Sequence, residues 1–371
     1  MNWKKSICHF VALAVSAALC YMSAGLPALA ASAASVQEYP IAVKSHEILS
    51  ISGLTAREGE KLDYFYKHKS GGPYFLAPEY YQSSDGGKTW SKSDLSDYKS
   101  FLNQNYPQAE GTPSIYMAQN GDIYFTTILS HGQVRSSNGD GYGFRNFSVF
   151  KYSNGTVTEI APLKMGHYGG VRMDVLHVSN EGDIVAWQQT YEKALKQAPA
   201  DLQIPPSQLC YYNAKTNSVS KADLIVPREW NILTYANNSV FGFLCADDKV
   251  NLQAFDVKTG KNVLSIPIPG LAVKDSGSVA ACIGPNNNLY VLCSSGIFVL
   301  KPGSKQLQKI IDVSSTRLGK NALCFGPAAY APDGSIYVPV EYSSSPSIVK
   351  TTITNWDRDG KILRFKLPAG V

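Results

Sequence analysis

The segment Asn120-Gly121-Asp122-Ile123-Tyr124 decides the fold, because it joins a turn to a strand in a pattern that the chain repeats. An Asn-Gly dipeptide takes the positive φ values that tight hairpins need, and strand-forming residues follow it. An apolar run at 114–118 precedes it. The same signal begins at Gly71, Asn120, Glu181, Asn237, Asn286 and Asp333. Repeats spaced 47 to 61 residues apart predict a fold built from successive similar units.

A second series of polar turns lies between the first ones and doubles the number of predicted hairpins. These turns are Asp85-Gly86-Gly87, Ser153-Asn154-Gly155, Lys215-Thr216-Asn217, Lys258-Thr259-Gly260, Pro302-Gly303-Ser304 and Asp359-Gly360. Two hairpins per repeat give four strands, so the sequence predicts an all-β chain that forms a single β-propeller with six four-stranded blades. A seven-bladed ring is the alternative, if the long middle repeats contain a further blade. We expect an N-terminal strand near residues 39–43 to pair with the last blade and close the ring.

Two insertions interrupt these repeats. Leu95, Tyr98 and Leu102 have helical spacing, which predicts a helix within 93–105. A second short helix is expected at 191–198, before a proline-containing stretch. Long insertions in a repeat fold tend to lie on one face, which is usually the binding face.

The first 30 residues have the composition of a secretory signal peptide. Lys4 and Lys5 precede an apolar stretch at 7–21, and Ala28-Leu29-Ala30 provides the small residues that a signal peptidase needs. We therefore expect a signal peptide at 1–30, a propeller domain at 31–371 and secretion of the mature protein. An uncleaved membrane anchor is the alternative, although the apolar stretch is shorter than the roughly 20 residues of a spanning helix. No later segment is apolar enough to be predicted to span a membrane.

Composition and charge narrow the classes of function. Hydrophobic residues make up 44% of the chain and charged residues 17%, which argues against a disordered tail protein and against a coiled coil. The formal net charge is +5 without a run of Lys or Arg, so nucleic acid is not an expected partner. Of the seven cysteines, Cys8 and Cys20 lie in the signal peptide. The other five lie in apolar strand-like runs and are expected to be small core residues, with metal or redox chemistry as the alternative.

One of the turns carries a longer motif at residues 83–90. Ser83, Asp85, Gly87, Thr89 and Trp90 occupy every defined position of the pattern Ser-x-Asp-x-Gly-x-Thr-Trp. The segment therefore resembles the Asp-box of the bacterial-neuraminidase-type (BNR) repeats found in sialidase-like propellers. Asp85 can accept N–H bonds across the turn, Gly87 can take a positive φ, and Trp90 can pack under the hairpin. We expect the motif to be structural and to contribute no catalytic residue.

The resemblance also implies an activity. In the sialidase family an arginine triad binds the substrate carboxylate, and a Tyr activated by a Glu acts with an Asp acid/base on the glycosidic bond. The Arg-Ile-Pro signature of that family is absent here, and the nearest arginine, Arg57, lies in a different context. The chain also has one Asp-box rather than several. Sialidase activity is therefore an alternative to the leading interpretation.

Candidate ligand-binding residues come from the loops between second and third strands and between blades, which open on one end of a propeller channel. The candidates are His131, Arg135, Tyr142, Arg145, His167, Tyr168, Arg172, Arg228, Trp230, Arg317, Glu341 and Tyr342, with the acidic residues Glu110, Asp140, Asp174 and Glu229 on the same loops. Arg172, Arg228 and Arg317 come from three blade junctions and together would suit an acidic sugar, because arginine binds carboxylates bidentately. For each arginine the alternative is an ion pair with a nearby acid.

No cofactor and no metal site is predicted. The segment 136–143 has oxygen ligands beside glycines but lacks the spaced acids of a calcium loop, and the histidines lack metal-binding spacing. We therefore expect a secreted propeller that binds a carbohydrate or an extracellular protein at the channel mouth. The competing class is a sialidase-like glycoside hydrolase or lyase that acts on an acidic glycan. Such an enzyme needs two carboxylates, or a Tyr–Glu couple with an acid, converging in the channel.

Overall fold

Backbone pairing in the computed structural model groups the strands into six separate sheets. The structure describes residues 32–33, 36–42, 51–66, 79–93, 95–135, 141–168, 172–189, 207–224, 230–246, 248–272, 279–343 and 358–368. The first strands of neighbouring sheets contact one another in a closed ring. The protein is therefore a six-bladed β-propeller, as the spacing of the turns predicts.

The strands are numbered in chain order. They are β1 (Ser32–Ala33), β2 (Val36–Tyr39), β3 (Ile51–Arg57), β4 (Lys61–Tyr66), β5 (Glu79–Ser83), β6 (Ser91–Ser93), β7 (Gly111–Met117), β8 (Ile123–Arg135), β9 (Gly141–Ser153), β10 (Thr156–Glu159), β11 (Met165–Tyr168), β12 (Arg172–Val178), β13 (Ile184–Gln189), β14 (Gln208–Asn213), β15 (Ser218–Asp223), β16 (Trp230–Ala236), β17 (Ser239–Ala246), β18 (Lys249–Asp256), β19 (Asn262–Ala272), β20 (Val279–Ile283), β21 (Leu289–Cys293), β22 (Gly296–Leu300), β23 (Gln308–Asp312), β24 (Ala322–Phe325), β25 (Ala329–Tyr330), β26 (Ser335–Ser343) and β27 (Arg358–Lys366). Two α-helices, α1 (Ser96–Asn105) and α2 (Arg317–Asn321), and two short 3-10 helices, Ala161–Leu163 and Pro285–Asn287, lie between strands.

Each blade is built from consecutive strands, except for the last. Blade 1 contains β3 to β6, blade 2 contains β7 to β10, blade 3 contains β12 to β15, blade 4 contains β16 to β19, and blade 5 contains β20 to β23. In blade 6, β24 and β25 share the inner position, and β26, β27 and β2 follow outward. The short β11 joins blade 2 by pairing with β9.

The N-terminal segment closes the ring. Strand β2 pairs antiparallel with β27, with Tyr39 opposite Ile362, so the outer strand of the last blade comes from the start of the described chain. Strand β1 lies parallel to β23, with Ser32 opposite Ile311, so the same segment also crosses from blade 5 to blade 6. The predicted closure is confirmed, although the strand ends at Tyr39, where the sequence predicts it to begin.

The two ends of the ring carry different connections. We call the end with the hairpins between first and second and between third and fourth strands the turn face, and the opposite end the loop face. In blades 2 to 6 the predicted turn residues Gly121, Gly182, Asn238, Asn287 and Gly334 connect first to second strands, with φ values from 57° to 90°. These five turns are therefore at equivalent positions, as predicted.

Blade 1 differs from the prediction. Its first hairpin turns at Glu58-Gly59-Glu60, between β3 and β4, where Gly59 and Glu60 have φ values of 72° and 58°. The predicted turn at Gly71-Gly72 lies outside the described residues, between β4 and β5, so it is not at the equivalent position. Glutamate is not typical of positive φ, and the sequence therefore gives little sign of the true turn.

The last predicted turn is also wrong. Asp359 and Gly360 lie inside β27, opposite Tyr342 and Glu341 of β26. Blade 6 needs no turn at that point, because its fourth strand comes from the other end of the chain. The other five turns of the second series do connect third to fourth strands.

The Asp-box turn of blade 1 has the hydrogen bonds that its residue types predict. Asp85 accepts bonds from Oγ1 of Thr89 at 2.6 Å and from the N–H groups of Thr89 and Lys88, both at 3.0 Å. Ser83 Oγ donates to Asp85 at 2.7 Å and accepts from the Gly87 N–H at 2.9 Å, and Gly87 has a φ of 92°. These bonds, that from the Thr89 hydroxyl foremost, hold the pKa of Asp85 well below its usual range.

Trp90 connects this turn to the closure of the ring. Its ring packs edge-on against Tyr64, with centroids 4.6 Å apart, and its Nε1–H donates to the Pro40 carbonyl at 3.0 Å. Pro40 directly follows β2. The Asp-box hairpin therefore holds the N-terminal segment against blade 1.

Related turns occur in two other blades, where the sequence motif is incomplete. In blade 4, Asp256 Oδ1 accepts from the N–H and the Oγ1 of Thr259, both at 2.8 Å. In blade 3, Asn213 Oδ1 accepts from the same two groups of Thr216, both at 2.9 Å. In the sequence, an Asp or Asn three residues before a Thr marks these two turns.

The core lies between the blades and under the inserted helix. The predicted helix within 93–105 is confirmed as α1, which buries Tyr98 and Leu102 against blade 2. The predicted helix at 191–198 lies outside the described residues.

The cysteines at 210, 245, 282, 293 and 324 are free; four are buried and Cys245 is half-buried. Within the described part of the chain, no helix has the length and apolar character needed to cross a membrane.

Candidate functional site at the loop face

The second and third strands of blade 2 extend further toward the loop face than its fourth strand does. Its second and third strands, β8 and β9, are each 13 residues long, whereas β10 has 4 residues. Beyond β10 the chain returns as β11, which pairs with β9 from Met165 opposite Phe147 to Tyr168 opposite Phe144. The result is a three-stranded extension at the loop-face end of blade 2.

This extension brings three of the candidate residues into one row. Arg145 of β9 is directly opposite His131 of β8 on one side and His167 of β11 on the other. Directly opposed residues in an antiparallel pair have Cα atoms about 4.5 to 5.5 Å apart. We call these three positions the basic row.

The remaining candidates of blade 2 lie next to the basic row or beyond it. Tyr168 is opposite Phe144, one position further along β9. Tyr142 and Arg135 lie closer to the tip of the β8–β9 hairpin, opposite Val134 and Gly141 respectively. Asp140 lies outside the described residues.

Arg172 begins the neighbouring blade. It is the first residue of β12, opposite Gln189, at the loop-face end of blade 3. Strand β12 lies against β7 and β8 of blade 2. Arg172 is therefore on the blade that adjoins the basic row, whereas Arg228 and Glu229 lie outside the described residues.

Arg317 lies on blade 6 and contacts carboxylates of the protein itself. Its Nη2 is 2.8 Å from Asp359 Oδ2, and its Nη1 is 3.7 Å from Glu38 Oε2. The guanidinium also lies 4.2 Å from the ring centroid of Tyr342, which is buried. Burial raises the pKa of Tyr342. Arg317 therefore forms ion pairs within the protein, which is the alternative considered for each arginine. It is also far from Arg172, because blade 6 is across the ring from blade 3.

Glu341 and Trp230 are enclosed by the fold. Glu341 is 0% exposed, lies opposite Cys324 of β24, and accepts a hydrogen bond from the Cys324 thiol at 3.1 Å. Trp230 is 3% exposed and packs edge-on against Trp187 and Phe255, with centroids 5.7 and 5.4 Å apart. Trp230 therefore packs in the core between blades 3 and 4.

Arg57 is on the opposite face from the basic row. It ends β3 beside the first turn of blade 1, and its Nε donates to the buried Asp63 at 2.7 Å. Tyr80 Oη donates to the same carboxylate at 2.6 Å, and Gln82 donates at 3.2 Å. The arginine nearest to the expected sialidase signature is thus part of a structural network on the turn face.

A buried hydroxyl cluster that no sequence motif predicts supports blade 2. Tyr98 of α1 bonds Thr112 of β7 at 3.2 Å and also bonds Thr127 of β8. Burial raises the pKa of Tyr98, so the phenol stays protonated. Threonines at inward positions of a strand were the available signal, but their partner lies on an inserted helix.

Across the described ranges, no group of three His, Cys, Asp or Glu side chains forms a metal site.

Comparison with known proteins bears on the fold. No protein-family model matches the sequence, and no curated protein matches it. A luciferin-regenerating enzyme matches the structure with a TM-score of 0.48 and 11% identity, over 91% of this chain and 96% of that one. The α-L-arabinofuranosidase of Fusarium graminearum, in complex with arabinobiose, matches with a TM-score of 0.46 and 12% identity, over 90% of this chain and 98% of that one. Ycf48 from Cyanidioschyzon merolae matches with a TM-score of 0.41 and 9% identity, over 89% and 98%. Likeness at this level reflects the fold alone.

Proposed function

We propose that this protein is a secreted propeller that binds an acidic carbohydrate at the loop face of blades 2 and 3. The observation that supports this is the basic row, in which an arginine stands between two histidines on adjacent strands. Arginine binds a carboxylate with two hydrogen bonds, and the N–H groups of imidazole donate to the same kind of acceptor. A carboxylated sugar provides that acceptor together with hydroxyl groups for the tyrosines of the same extension.

Secretion is part of the proposal and rests on the first 30 residues. Their basic start, apolar stretch and Ala-Leu-Ala end are those of a cleaved signal peptide. Mass spectrometry of the protein exported by a secretion-competent host tests this. We expect a mature N-terminus at Ala31, and an N-terminus at Met1 in a membrane fraction would support the anchor alternative.

The Asp-box and its relatives in blades 3 and 4 support a BNR-type, sialidase-like ancestry. They do not favour hydrolysis, because all three turns are on the turn face. Glu341 is closed off from solvent and Arg57 is engaged with Asp63. We therefore propose binding without turnover, and a panel of fluorogenic glycosides and acidic polysaccharides tests it. Release of product above the rate of a buffer blank would favour the hydrolase or lyase instead.

The binding test uses trigalacturonate and its methyl ester, which share one backbone and differ in charge. Calorimetric titration of the wild type is expected to show at least tenfold weaker binding of the ester, and weaker binding of the acid as salt rises. Arg145→Ala is expected to weaken trigalacturonate binding about tenfold or more, the effect of losing a hydrogen bond between charged groups.

Lys164→Ala provides a matched control. Lys164 precedes β11, and its Nζ lies 3.9 Å from Glu159 Oε1. The variant therefore removes one positive charge from the same blade, outside the basic row. We expect it to change the affinity less than twofold. Equal losses in the two variants, or equal binding of acid and ester, would contradict the proposed site.

A further inference from the structure

A cleft opens between blades 3 and 4 on the turn face, away from the basic row. It encloses about 660 Å³, a size typical of small-molecule sites. Blade 3 supplies residues from all four of its strands, and blade 4 supplies the end of β16 and the two adjoining turns.

The cleft exists because the packing between these blades changes along their length. Trp187, Trp230 and Phe255 pack against one another and fill the interface between the blades. Toward the turn face, the facing side chains of β15 are only Ser220 and Ala222. Small residues on the outer strand leave a gap where the blades diverge. Leu209 and Val257, which belong to the packed cluster, form the apolar base of the gap.

One wall of the cleft is aromatic. The rings of His177 and Tyr235, from the first strands of the two blades, lie 5.2 Å apart at an angle of 36°. Burial lowers the pKa of His177, so its imidazole is neutral at pH 7 and has one donor and one acceptor. Tyr211 of β14 lies on the same cleft. These half-buried rings offer flat apolar surfaces that are already in place.

Hydrogen bonds hold the polar groups around the cleft in position. Tyr211 Oη donates to Asp183 Oδ2 at 2.5 Å, and the Ala214 N–H donates to Asp183 Oδ1 at 2.8 Å. Tyr235 Oη donates to Asn238 Oδ1 at 3.3 Å. A site whose groups are fixed before binding loses less entropy when a ligand enters.

The charges around the cleft do not favour an anion. Lys258 is positive and Glu181 and Asp183 are negative, and none of the three forms an ion pair with another described residue. Lys221 is on the other face of β15, because it lies opposite Cys210, which packs between blades 2 and 3. The cleft therefore has carboxylate acceptors beside one charged donor.

We infer that the interblade cleft binds a neutral saccharide. A sugar presents an apolar C–H face, which fits against an aromatic ring, and hydroxyl groups that both donate and accept. The cleft offers an aromatic wall, an apolar base and a rim with the Lys258 donor and carboxylate acceptors. A volume of about 660 Å³ accommodates two sugar rings. This site is independent of the one proposed at the loop face.

In the experiment, cellobiose, maltose, lactose and mannobiose are each titrated into the wild type, and saturation-transfer NMR detects binding. The highest concentration of each sugar is about 20 mM, because weak sugar sites have dissociation constants on the order of millimolar. Ser220→Trp places an indole in the cleft from an exposed position of an outer strand, so it blocks the site without removing core atoms. Ser218→Trp makes the same change two residues away, outside the cleft lining, and serves as the matched control.

We expect at least one disaccharide to bind the wild type and Ser218→Trp equally, and to bind Ser220→Trp at least tenfold more weakly. Absence of binding by all four disaccharides overturns the inference, and so does binding that Ser220→Trp leaves unchanged. Trigalacturonate binding to Ser220→Trp shows that the variant is folded. Binding that depends on Arg145 belongs to the loop face, so failure of one site is distinguishable from failure of the other.

Discussion

The interface between blades 6 and 1 and the interface between blades 3 and 4 are filled in different ways at the turn face. The first leaves a cavity of about 40 Å³, and the second leaves the cleft of about 660 Å³. Blade 6 combines strands from both ends of the chain, because β2 pairs with β27, whereas blades 3 and 4 are each built from consecutive strands. Close packing is found beside the blade that noncovalent contacts close, and open space is found between two blades that are each one continuous stretch of chain.

The closing interface is filled by a charged and aromatic cluster. Arg364 of β27 forms an ion pair with Asp333, and its Nη1 lies 3.8 Å from Glu60 Oε1 of blade 1. Its Cζ lies 5.6 Å from the ring centroid of Tyr337. Burial raises the pKa of Tyr337 to about 12. The cleft, in contrast, has charges on its rim that contact no charged partner among the described residues. The charged and aromatic contacts of the first interface stabilise the ring, whereas the second interface holds the cleft in which we infer that a sugar binds.

The largest expected difference between the interfaces concerns a matched pair of leucines. Leu62 of β4 is 1% exposed in the cluster between blades 6 and 1, and Leu209 is 1% exposed at the base of the cleft. Truncation of Leu62 leaves a void between closely packed blades, whereas truncation of Leu209 widens a space that water already reaches. We expect Leu62→Ala to lower the free energy of unfolding by about 4 kcal/mol and Leu209→Ala by about 2 kcal/mol. Urea denaturation measures both, and equal losses would show that the cleft is packed like the closure.

A smaller effect is expected for the ion pair of the closing interface. The Arg364 side chain is 18% exposed and that of Asp333 is 39% exposed, so solvent partly screens their attraction. We expect Arg364→Ala to lower the free energy of unfolding by about 1 to 2 kcal/mol. Lys361→Ala, on the same strand, removes a pair with Asp359 in which both side chains are 33% exposed, and about 0.5 kcal/mol or less is expected. A larger loss for Lys361→Ala would contradict the importance of the Arg364 cluster.

The Asp-box turn should contribute more than the related turn beside the cleft. Asp85→Ala is expected to lower the melting temperature more than Asp256→Ala, because Trp90 connects the first turn to the N-terminal segment. The pKa of Asp85 is lowered in the folded protein, so its contribution is present above its unfolded pKa of about 3.9 and is lost as the pH falls through the folded value. Melting curves at pH 7 and at pH 3 should therefore show a smaller difference between wild type and Asp85→Ala in acid. Trigalacturonate binding should be unchanged, and its loss at an unchanged melting temperature would make the turn functional.

The smallest expected effect concerns His177 in the cleft. Burial lowers its pKa in the folded protein, so the unfolded chain binds the proton more readily. Stability is therefore lost as the pH falls below about 6.5, the unfolded pKa. His177→Gln is expected to lose less stability than the wild type between pH 7 and pH 5 in urea denaturation. Equal losses of stability in the two proteins would mean that the His177 imidazole is hydrated rather than buried.

The fold was predictable where the signal is local. Turn residues such as Gly121 and Gly334 carry their conformation in their own sequence, and they mark equivalent positions in different blades. The prediction failed at Glu60, which takes a positive φ against its residue type, and at Gly360, which has the composition of a turn but lies in a strand. The second error has a nonlocal cause, because a strand from the other end of the chain takes the outer place in blade 6.

The sites depend still more on distant contacts. Which residues oppose Arg145 is decided by the register of β8 and β11, which no short motif specifies. The cleft arises from the packing of two blades, and only the small residues Ser220 and Ala222 hint at it in the sequence. The place of Arg317 in the repeat predicts that it lies near other arginines, but its partners Glu38 and Asp359 come from distant parts of the chain.

Hydrogen–deuterium exchange of the wild type with and without trigalacturonate tests the central claim most directly, because it locates the bound sugar on one face of the ring. The account predicts slower exchange in peptides that cover the loop-face ends of β8 and β9 together with β11. Peptides that cover the cleft, at 177–185 and 207–222, should exchange as in the free protein. Protection confined to the cleft peptides, or no protection at a saturating concentration of the sugar, would contradict it.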